Sequence, residues 1–233
     1  MKGKYLDLIG QRGFKKVMDH LDYVLKILPF ILSGLKLTAR VYVATLILAL
    51  PLGLLAAIGK VTGPKILKSI LFLYTWIWRG TPLLFHLFFM YYALPVIGIR
   101  LSPFVAATVA YVLNYGAYLT EIFRGGIESI DRGQYEAAKA LGLTYPQTMR
   151  RIIIPQTIRR VLPPTCSEAV NLVKDTALLA VVGMPDLLRI STQIFTRDFN
   201  ITPFIVAFVL YLIISSVLVK LFGNLEKRHS IYE

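Results

Sequence analysis

Apolar runs of membrane-spanning length alternate with short polar and basic segments along this chain. Five such runs occur, at residues 29–58, 70–94, 103–122, 166–185 and 201–222. Because about 20 apolar residues cross the hydrocarbon core of a bilayer as a helix, each run predicts a transmembrane helix. The second run is interrupted at residues 79–82, which predicts a broken helix whose freed backbone groups line a cavity. The pattern therefore predicts an all-α integral membrane fold with five spans.

Residues 1–28 are polar and basic, but they carry apolar side chains at helical spacing. The positions on one face are Phe14, Val17, Met18, Leu21 and Leu25. This predicts an amphipathic helix at the membrane interface, with a solvated tail as the alternative. The remainder divides into a transmembrane domain at 29–222, with a long polar loop at 123–164, and a polar tail at 223–233.

Within the polar loop, residues 134–155 predict two short helices. Good helix formers precede Gly142, which is suited to the left-handed conformation that ends a helix. A second helix is expected to start after Thr144 as N-cap, with Pro146 in its first turn. It is expected to break before Pro155, because proline disfavours the α conformation in the residue preceding it. Such a pair, lying across the membrane surface, is suited to binding another protein.

Composition agrees with a membrane protein and narrows its chemistry. Of the 233 residues, 56% are hydrophobic, and the mean hydropathy of +0.62 is too apolar for an ordinary soluble domain. The single cysteine, Cys166, excludes an internal disulfide, and the three histidines lack metal-ligand spacing. The net charge of +13 fits a membrane surface better than nucleic acid, because the basic residues flank apolar runs.

The lysines and arginines also predict an orientation in the membrane. One side carries the basic loop at 60–68, seven basic residues between 124 and 160, and the C-terminal tail. That side is expected to be cytoplasmic, which places the N-terminus outside and the C-terminus inside. Six basic residues between 2 and 26 oppose this assignment. They are overruled because the three inner loops agree and an odd number of spans separates the termini.

The fourth run carries four polar side chains on one helical face: Glu168, Asn171, Lys174 and Asp175. A charge that faces lipid costs about 2.5–3.5 kcal/mol on insertion scales, so the face is expected to meet protein or water. Lys174 and Asp175 are adjacent and cannot pair along their own helix, so their partners are expected on other helices or across a dimer axis. A buried network that only holds helices together is the alternative.

The third run carries three further polar side chains on one helical face: Asn114, Tyr118 and Glu121. Together with the polar face of the fourth run, they suggest a route for a zwitterion. The ammonium of an amino acid needs an acceptor, which Asn114 or Asp175 could supply. Its carboxylate needs a donor, which Lys174 or a backbone amide could supply. Structural packing remains the alternative for each residue, and for Arg79 the alternative is that its side chain satisfies carbonyl groups at the helix break. The candidate translocation path consists of Arg79, Thr81, Asn114, Tyr118, Glu121, Lys174 and Asp175.

Several spaced motifs resemble those of permease subunits of bacterial ABC importers. Glu136-Ala137-Ala138, with Gly142 and the Ile-Ile-Ile-Pro at 152–155, matches the Glu-Ala-Ala loop of that family. Three more segments of this chain, at 79–84, 117–134 and 172–176, resemble the polar amino-acid branch of that family. The resemblance covers roughly residues 29–222 and implies the type I permease fold of ABC importers.

The resemblance also implies partners. The Glu-Ala-Ala loop is expected to insert into a groove of a cytoplasmic ATPase subunit. A second permease subunit, identical or paralogous, and an extracytoplasmic binding protein would complete the assembly in the bacterial cytoplasmic membrane. The basic side chains of the loop equally fit anionic lipid headgroups. The residues expected to couple to the ATPase are Glu136, Ala137, Ala138, Gly142, Arg150, Arg151 and Pro155.

The chain itself is expected not to be an enzyme and to hold no cofactor. Residues 53–61 superficially resemble a phosphate-binding loop, but they lack its spacing and the Ser or Thr that follows the lysine. No His/Asp metal cluster or nucleophile–base pair supports an embedded enzyme. ATP and Mg²⁺ are therefore expected in the partner ATPase.

The sequence thus predicts the membrane-spanning subunit of an ATP-driven importer of a polar amino acid. Residues 184–197 are somewhat similar to cystine-transporting relatives, and glutamine, glutamate and basic amino acids stay open as substrates. His86 stands where relatives more often carry glutamine. The alternative is an ion-coupled secondary transporter in which Asp175 and Glu121 carry protons, although five spans without a repeat are few for one.

Overall fold

The structure, a computed structural model, describes the backbone of residues 2–229 and the side chains of residues 18–228. The regular structure of residues 2–229 is entirely helical, as predicted, and this range contains no strand. π-Helical turns follow α4 and α7, and 3-10 helices occupy Leu94–Ile97 and Thr176–Val182. The α-helices are α1 Lys2–Ser33, α2 Leu35–Thr62, α3 Lys65–Gly80, α4 Leu83–Phe88, α5 Pro103–Glu128, α6 Arg132–Ala140, α7 Tyr145–Thr148, α8 Ile154–Asp175, α9 Leu187–Asp198 and α10 Thr202–His229.

The helices α2 and α5 pack closely along small side chains. On α2, Ala49, Gly53 and Ala57 recur every four residues and are buried. A Cβ at Gly53 would lie 2.6 Å from the Leu119 Cβ of α5, and a Cβ at Gly116 would lie 2.7 Å from a leucine side chain of α2. The two glycines therefore let the backbones approach, as small residues do in membrane helix pairs. This four-residue repeat is a sequence signal that the apolar runs do not reveal.

The buried apolar side chains form two clusters. The larger one joins α2, α4 and α5 to the end of α8 and includes Val41, Leu87, Tyr111, Leu172 and Leu179. The smaller one joins α1, α9 and α10 and is built on Ile27, Ile31, Leu187 and Ile194. Two clefts lie beside the larger cluster, because α5 supplies side chains both to the cluster and to the clefts.

Sequence reasoning missed the helix α9. Its N-cap is Asp186, a fully buried residue whose carboxylate accepts hydrogen bonds from the backbone amides of Leu188 and Arg189 at 3.1 and 2.9 Å. The Tyr211 hydroxyl of α10 donates to the same carboxylate at 3.2 Å. An aspartate just before an amphipathic stretch is a helix start signal, but this helix is too short and polar to register as an apolar run.

The interruption predicted in the second run is present. The helix α3 ends at Gly80, α4 begins at Leu83, and the two axes meet at 104°. Thr81 is extended, with φ of −125° and ψ of 147°, and Pro82 supplies no amide hydrogen. The basic loop at 60–68 contains a short turn at Gly63 and Pro64, since α2 ends at Thr62 and α3 begins at Lys65.

The break predicted before Pro155 is wrong. Helical backbone continues from Tyr145 through a π-helical turn, Met149–Ile153, into α8, and Ile154 keeps α geometry with φ of −59°. Pro155 lies where the π-helical turn joins α8, and there the regular α hydrogen-bond pattern, which would need its missing amide hydrogen, is already interrupted. Most of the loop predicted at 123–164 is accordingly helical, because α5 also extends to Glu128.

The fourth run differs from the single α-helix predicted at 166–185. The helix α8 begins at Ile154 and ends at Asp175, and the 3-10 helix Thr176–Val182 follows it. Gly183 then adopts a left-handed conformation with φ of +78°. The polar stripe therefore occupies the last two turns of α8, directly before the 3-10 helix.

Two helical segments of the described residues are long and apolar enough to cross a membrane alone. They are Met18–Thr62, which combines part of α1 with α2, and Thr202–Arg228 in α10. Two bent pairs, Lys65–Gly80 with Leu83–Ile97 and Tyr145–Val182 with Leu187–Asp198, could each add one span. The third predicted span, now α5, is not among these candidates, and its buried polar side chains explain why. The number of five spans stays a prediction.

The N-terminal segment shows no boundary at residue 28. The helix α1 runs from Lys2 to Ser33 and is separated from α2 by Gly34 alone. The side chains of Phe14 and Val17 lie outside the described residues, so the amphipathic face predicted for this segment is seen only in part. Its position at the membrane interface stays a prediction, as do the domain limits at 29–222 and 223–233.

Replacing Gly53 by alanine is expected to destabilise the protein by about 1–3 kcal/mol, because the new Cβ would press against Leu119 Cβ and, at 3.2 Å, against the α5 backbone. Gly125→Ala is the matched control, since no atom lies within 4 Å of a Cβ there. Unfolding temperatures in detergent measure both variants. An equal unfolding temperature for the two would contradict the close α2–α5 contact.

Candidate functional site

A cleft of about 610 Å³, the polar cleft, lies between the α3–α4 break, α5 and α8. It contains five of the seven residues predicted for the translocation path, together with Tyr115, Glu168 and Asn171. Those five are Thr81, Asn114, Tyr118, Lys174 and Asp175. The broken helix therefore lines a cavity, as its sequence predicted, with Thr81, Pro82, Leu83 and Leu84 forming that wall.

Asp175 is oriented by two tyrosines of α5. The Tyr115 hydroxyl donates to Asp175 Oδ2 at 2.7 Å, and the Tyr111 hydroxyl donates to the Asp175 backbone carbonyl at 2.7 Å. Asp175 thus has hydrogen-bond partners on a neighbouring helix, one of the two locations expected for its partners. The tyrosines were not predicted, although they lie four residues apart on α5 and so share a face.

The other polar side chains of α8 face the open part of the cleft. Asn171 and Lys174 are exposed, and Glu168 is half-buried. Lys174 takes part in none of the ion pairs formed by residues 18–228, so the partner predicted for it is not found within this chain. The cleft thus combines two carboxylates and one ammonium group with the carboxamides of Asn114 and Asn171. These groups can bind a zwitterion at both of its charges.

The wall at the α3–α4 break is held by hydrogen bonds that sequence reasoning missed. The Thr81 hydroxyl donates to the Ile77 carbonyl at 2.7 Å, and the Asn114 amide donates to the Trp78 carbonyl at 2.7 Å. His86 Nε2 lies 2.7 Å from Thr81 Oγ1, and His86 Nδ1 lies 3.3 Å from Asn114 Nδ2. A histidine within an apolar run, five residues after Thr81, is the sequence signal that could have indicated this network.

A second cleft of about 580 Å³, the basic cleft, lies between α2, α3 and α5. Three of its four charged residues form one cluster. Lys60 pairs with Glu121, and Arg124 donates to Glu121 Oε2 at 2.8 Å. The Lys60 ammonium also donates to Thr75 Oγ1 at 2.9 Å.

Glu121 and Arg79, both predicted as path residues, lie in the basic cleft and not in the polar cleft. The physical reason is that the Glu121 carboxylate is satisfied by cations of α2 and α5, at a point beyond the polar cleft along α5. The Arg79 guanidinium lies 5.3 Å from the ring centre of Tyr118, which lines the polar cleft. This stacked pair marks the boundary between the two clefts.

The segment at 134–155, predicted as two short helices, contains the end of α6, which begins at Arg132, and α7, but α7 continues through the π-helical turn into α8 instead of ending before Pro155. Gly142 has φ of +71°, and the amides of Gly142 and Leu143 bond to the carbonyls of Lys139 and Ala138, each at 3.0 Å. This is the Schellman arrangement that closes a helix C-terminus. Thr144 then caps α7 through a capping box with Gln147.

Most residues predicted to couple to an ATPase are exposed on this pair and the turn after it. Exposed positions are Glu136, Ala137, Gly142, Arg150, Arg151 and Pro155. Ala138 is the exception, because it is fully buried within this chain and cannot contact another protein there. Leu141 and Tyr145, which are 78% and 61% exposed, add an apolar surface between the two helices that sequence reasoning did not include. No group of three His, Cys, Asp or Glu side chains that could hold a metal ion occurs among residues 18–228.

Comparison with known proteins gives consistent matches over most of the chain. The family described as binding-protein-dependent transport system inner membrane component matches residues 49–231. The glutamine transport system permease protein of Escherichia coli is 37% identical over 207 residues, which cover 88% of this chain and 94% of that protein. The arginine transport system permease protein of Bacillus subtilis is 35% identical over 203 residues, which cover 86% of this chain and 93% of that protein.

Two solved structures have similar folds. The crystal structure of an amino acid ABC transporter with histidines matches with a TM-score of 0.84 at 33% identity, over 88% of this chain and 97% of that chain. The inward-facing MetNI methionine ABC transporter matches with a TM-score of 0.67 at 19% identity, over 88% of this chain and 96% of that chain. The second likeness supports the fold alone.

The Lys60–Glu121 pair is expected to contribute measurably to stability, because its side chains are only 10% and 14% exposed. In a double-mutant cycle with Lys60→Met and Glu121→Gln, we expect a coupling energy of about 0.5–3 kcal/mol. Glu121→Gln is expected to cost more than Lys60→Met, since it leaves two cations without their shared carboxylate.

The matched control for this cycle is the more exposed pair of Arg124 and Glu128, whose side chains are 33% and 50% exposed. Its coupling energy is expected to stay below about 1 kcal/mol. Unfolding midpoints in detergent measure both cycles. Strict additivity for Lys60 and Glu121 would contradict the structural role assigned to their pair.

Proposed function

The chain belongs to the family of binding-protein-dependent transport system inner membrane components, and we propose that it is the permease subunit of an ATP-driven importer of a polar amino acid. A permease subunit of this kind is not itself an enzyme, and ATP hydrolysis belongs to a separate ATPase subunit. The named relatives transport glutamine or arginine, and the similar crystal structure is of an amino acid transporter.

The polar cleft is the observation that supports an amino acid as the substrate. An α-amino acid carries its ammonium and its carboxylate on the same carbon atom, so the groups that bind them must lie close together. In the cleft, Asp175 and Glu168 would accept from the ammonium, and Lys174 would donate to the carboxylate. Asn171 can serve either charge because a carboxamide both donates and accepts, whereas Asn114 can accept from the ammonium through its amide oxygen, since its amide nitrogen contacts the Trp78 carbonyl and His86. Since α8 supplies most of these groups, its last two turns would form the main binding surface.

We place the cleft within an assembly of two permease subunits, two ATPases and an extracytoplasmic binding protein. In this arrangement the chain crosses the cytoplasmic membrane five times, with its N-terminus outside and its C-terminus inside. The central helix α5 would complete the count of spans, shielded from lipid by its neighbours. Exposed Lys174 and Asn171 would then face the second permease subunit or water rather than hydrocarbon, which avoids the cost of a charge in lipid.

The exposed helix pair α6–α7 would be the contact with the ATPase. Leu141 and Tyr145 offer apolar side chains for a groove, and Glu136 with Arg150 and Arg151 offers charges around them. The Schellman closure at Gly142 makes the pair rigid, so that a displacement by the ATPase would reach α8 through the continuous helical backbone from Tyr145. ATP and Mg²⁺ would bind in the ATPase.

An ion-coupled secondary transporter is less well supported. That alternative requires Glu121 to release and take up protons during transport. The Lys60 and Arg124 side chains both bond to the Glu121 carboxylate, so protonation of Glu121 would disrupt this ion-pair cluster. The family match likewise favours the binding-protein-dependent importer.

Uptake into proteoliposomes that contain the complete complex tests the proposed function. With ATP inside and the binding protein outside, we expect uptake of radiolabelled L-glutamine or L-arginine from a panel that includes L-cystine and L-glutamate. Uptake that persists without ATP, and that an uncoupler abolishes, would instead support the ion-coupled transporter.

Asp175→Asn is expected to lower this uptake about tenfold or more while the complex still assembles. Asparagine keeps an acceptor for the Tyr115 hydroxyl but removes the negative charge, and hydrogen bonds to charged groups contribute about 1.5–3 kcal/mol. Asp198→Asn is the matched control, because Asp198 bonds to Tyr23 outside the cleft. Unchanged uptake by the Asp175 variant would contradict a substrate-binding role for this carboxylate and would indicate that the polar face of α8 is only structural.

Glu136→Lys is expected to prevent stable association with the ATPase without preventing membrane insertion. The reversed charge lies on the exposed face of α6, so the fold of the permease does not depend on it. Glu128→Lys provides the matched control, since it reverses an exposed glutamate outside the helix pair. Co-purification of tagged ATPase measures association, and equal recovery for both variants would argue against docking at α6.

A further inference from the structure

The α3–α4 break leaves backbone carbonyls that the helix itself cannot satisfy. The last four carbonyl groups of any α-helix lack intrahelical partners, and a 104° bend directs the chain away from them. Side chains replace the missing partners at two of these carbonyls. Thr81 Oγ1 donates to the Ile77 carbonyl, and Asn114 Nδ2 of α5 donates to the Trp78 carbonyl, both at 2.7 Å.

These two bonds determine the roles of the remaining lone pairs and protons. A threonine hydroxyl has one proton, so Thr81 Oγ1 must accept at its 2.7 Å contact with His86 Nε2. The Asn114 amide nitrogen can only donate, so His86 Nδ1 must accept at its 3.3 Å contact with Asn114 Nδ2. Both neighbours therefore require the same state of His86, a neutral imidazole with its proton on Nε2.

An imidazolium would not fit this arrangement. Its Nδ1–H would point at the Asn114 amide nitrogen, placing two donors against each other. Rotating the Asn114 amide by half a turn would provide an acceptor for His86, but it would turn the amide oxygen toward the Trp78 carbonyl and lose that bond. The network thus has one consistent direction of donation, from Asn114 through His86 and Thr81 to the end of α3.

His86 lies behind the cleft wall and does not line the polar cleft. Its side chain is buried, with 7% of the residue exposed, and its ring centre lies 4.3 Å from that of Trp78. An apolar groove formed by Phe85, Phe88 and Phe89 adjoins it on that side. Its two polar contacts, Thr81 and Asn114, do line the polar cleft.

From this geometry we infer that neutral His86, protonated on Nε2, is the positioning residue that fixes the α3–α4 wall and the Asn114 carboxamide of the polar cleft. The role of that wall in moving an amino acid rests on the proposed function. The hydrogen-bond network itself does not, because it follows from distances within this chain.

Two substitutions at His86 separate hydrogen bonding from packing. In His86→Gln, the terminal amide supplies one acceptor and one donor that can replace Nδ1 and Nε2. In His86→Leu, Thr81 and Asn114 lose their contacts with residue 86 but keep their bonds to the Ile77 and Trp78 carbonyls. We expect the glutamine variant to transport L-glutamine or L-arginine at close to the wild-type rate. The leucine variant is expected to lose roughly tenfold in maximal rate, because one hydrogen of the buried Asn114 amide then has no acceptor and the Thr81 hydroxyl loses its donor.

The concentration of liganded binding protein that gives half the maximal rate is expected to stay unchanged in both variants, since docking occurs elsewhere. Leu87→Ala is the matched control. Leu87 is the fully buried neighbour of His86, and its truncation removes packing without touching the network. Its unfolding temperature should fall while its maximal rate per folded complex is retained. If His86→Gln and His86→Leu lost maximal rate equally, the assignment would be overturned. A loss of maximal rate in Leu87→Ala as large as that in His86→Leu would also overturn it.

Solid-state NMR of the complex with ¹⁵N-labelled histidine tests the network without any transport assay. The resonance that disappears in His86→Gln belongs to His86, and at pH 7 it is expected to show the neutral Nε2–H tautomer. An Nδ1–H tautomer or an imidazolium would overturn the inference even if transport is normal. Conversely, a complex that transports no amino acid but shows the expected tautomer would refute the proposed function and leave the network intact.

Discussion

The contact between α2 and α5 is the packing on which both clefts depend. Two glycines, Gly53 on α2 and Gly116 on α5, bring the helices closer than any larger side chain would allow. The position of α5 is thereby set, and this single helix supplies Asn114, Tyr115 and Tyr118 to the polar cleft and Glu121 and Arg124 to the basic cleft. In a membrane helix pair, where lipid is as apolar as the side chains, such close packing replaces the hydrophobic driving force.

The two clefts use charge in opposite ways. In the basic cleft, Lys60 and Arg124 share the carboxylate of Glu121, so these three charges are satisfied within the chain. In the polar cleft, Lys174 has no such partner among residues 18–228, and Asp175 is held by tyrosine hydroxyls that leave its charge uncompensated. Charges that remain available are suited to a ligand, whereas mutually satisfied charges stabilise a fold.

Departures from α-helical geometry occur where the site needs them. The extended Thr81 and Pro82 open the wall of the polar cleft, and the 3-10 helix after Asp175 ends the polar stripe of α8. The π-helical turn before α8 has a different consequence, because it carries the helical path past Pro155 without a break. The helix pair α6–α7 is therefore continuous with the helix that lines the cleft.

The sequence alone determined the features that depend on local chemistry. Apolar runs indicated helices, Gly80 and Pro82 indicated the broken helix, and Gly142 indicated a helix end, because each follows from the conformational limits of a few neighbouring residues. The spaced Glu-Ala-Ala motif likewise pointed to the family before any contact was known.

Only the tertiary structure decided which side chains meet. Asn114, Tyr118 and Glu121 share one helical face, yet Glu121 belongs to another cleft because Lys60 of α2 binds it there. Ala138 looked like part of an exposed motif but is buried, and His86 gained its role from Asn114, 28 residues away. Helical periodicity gives the direction of a side chain about its own axis, whereas its partner depends on the packing of other helices, which no local pattern encodes.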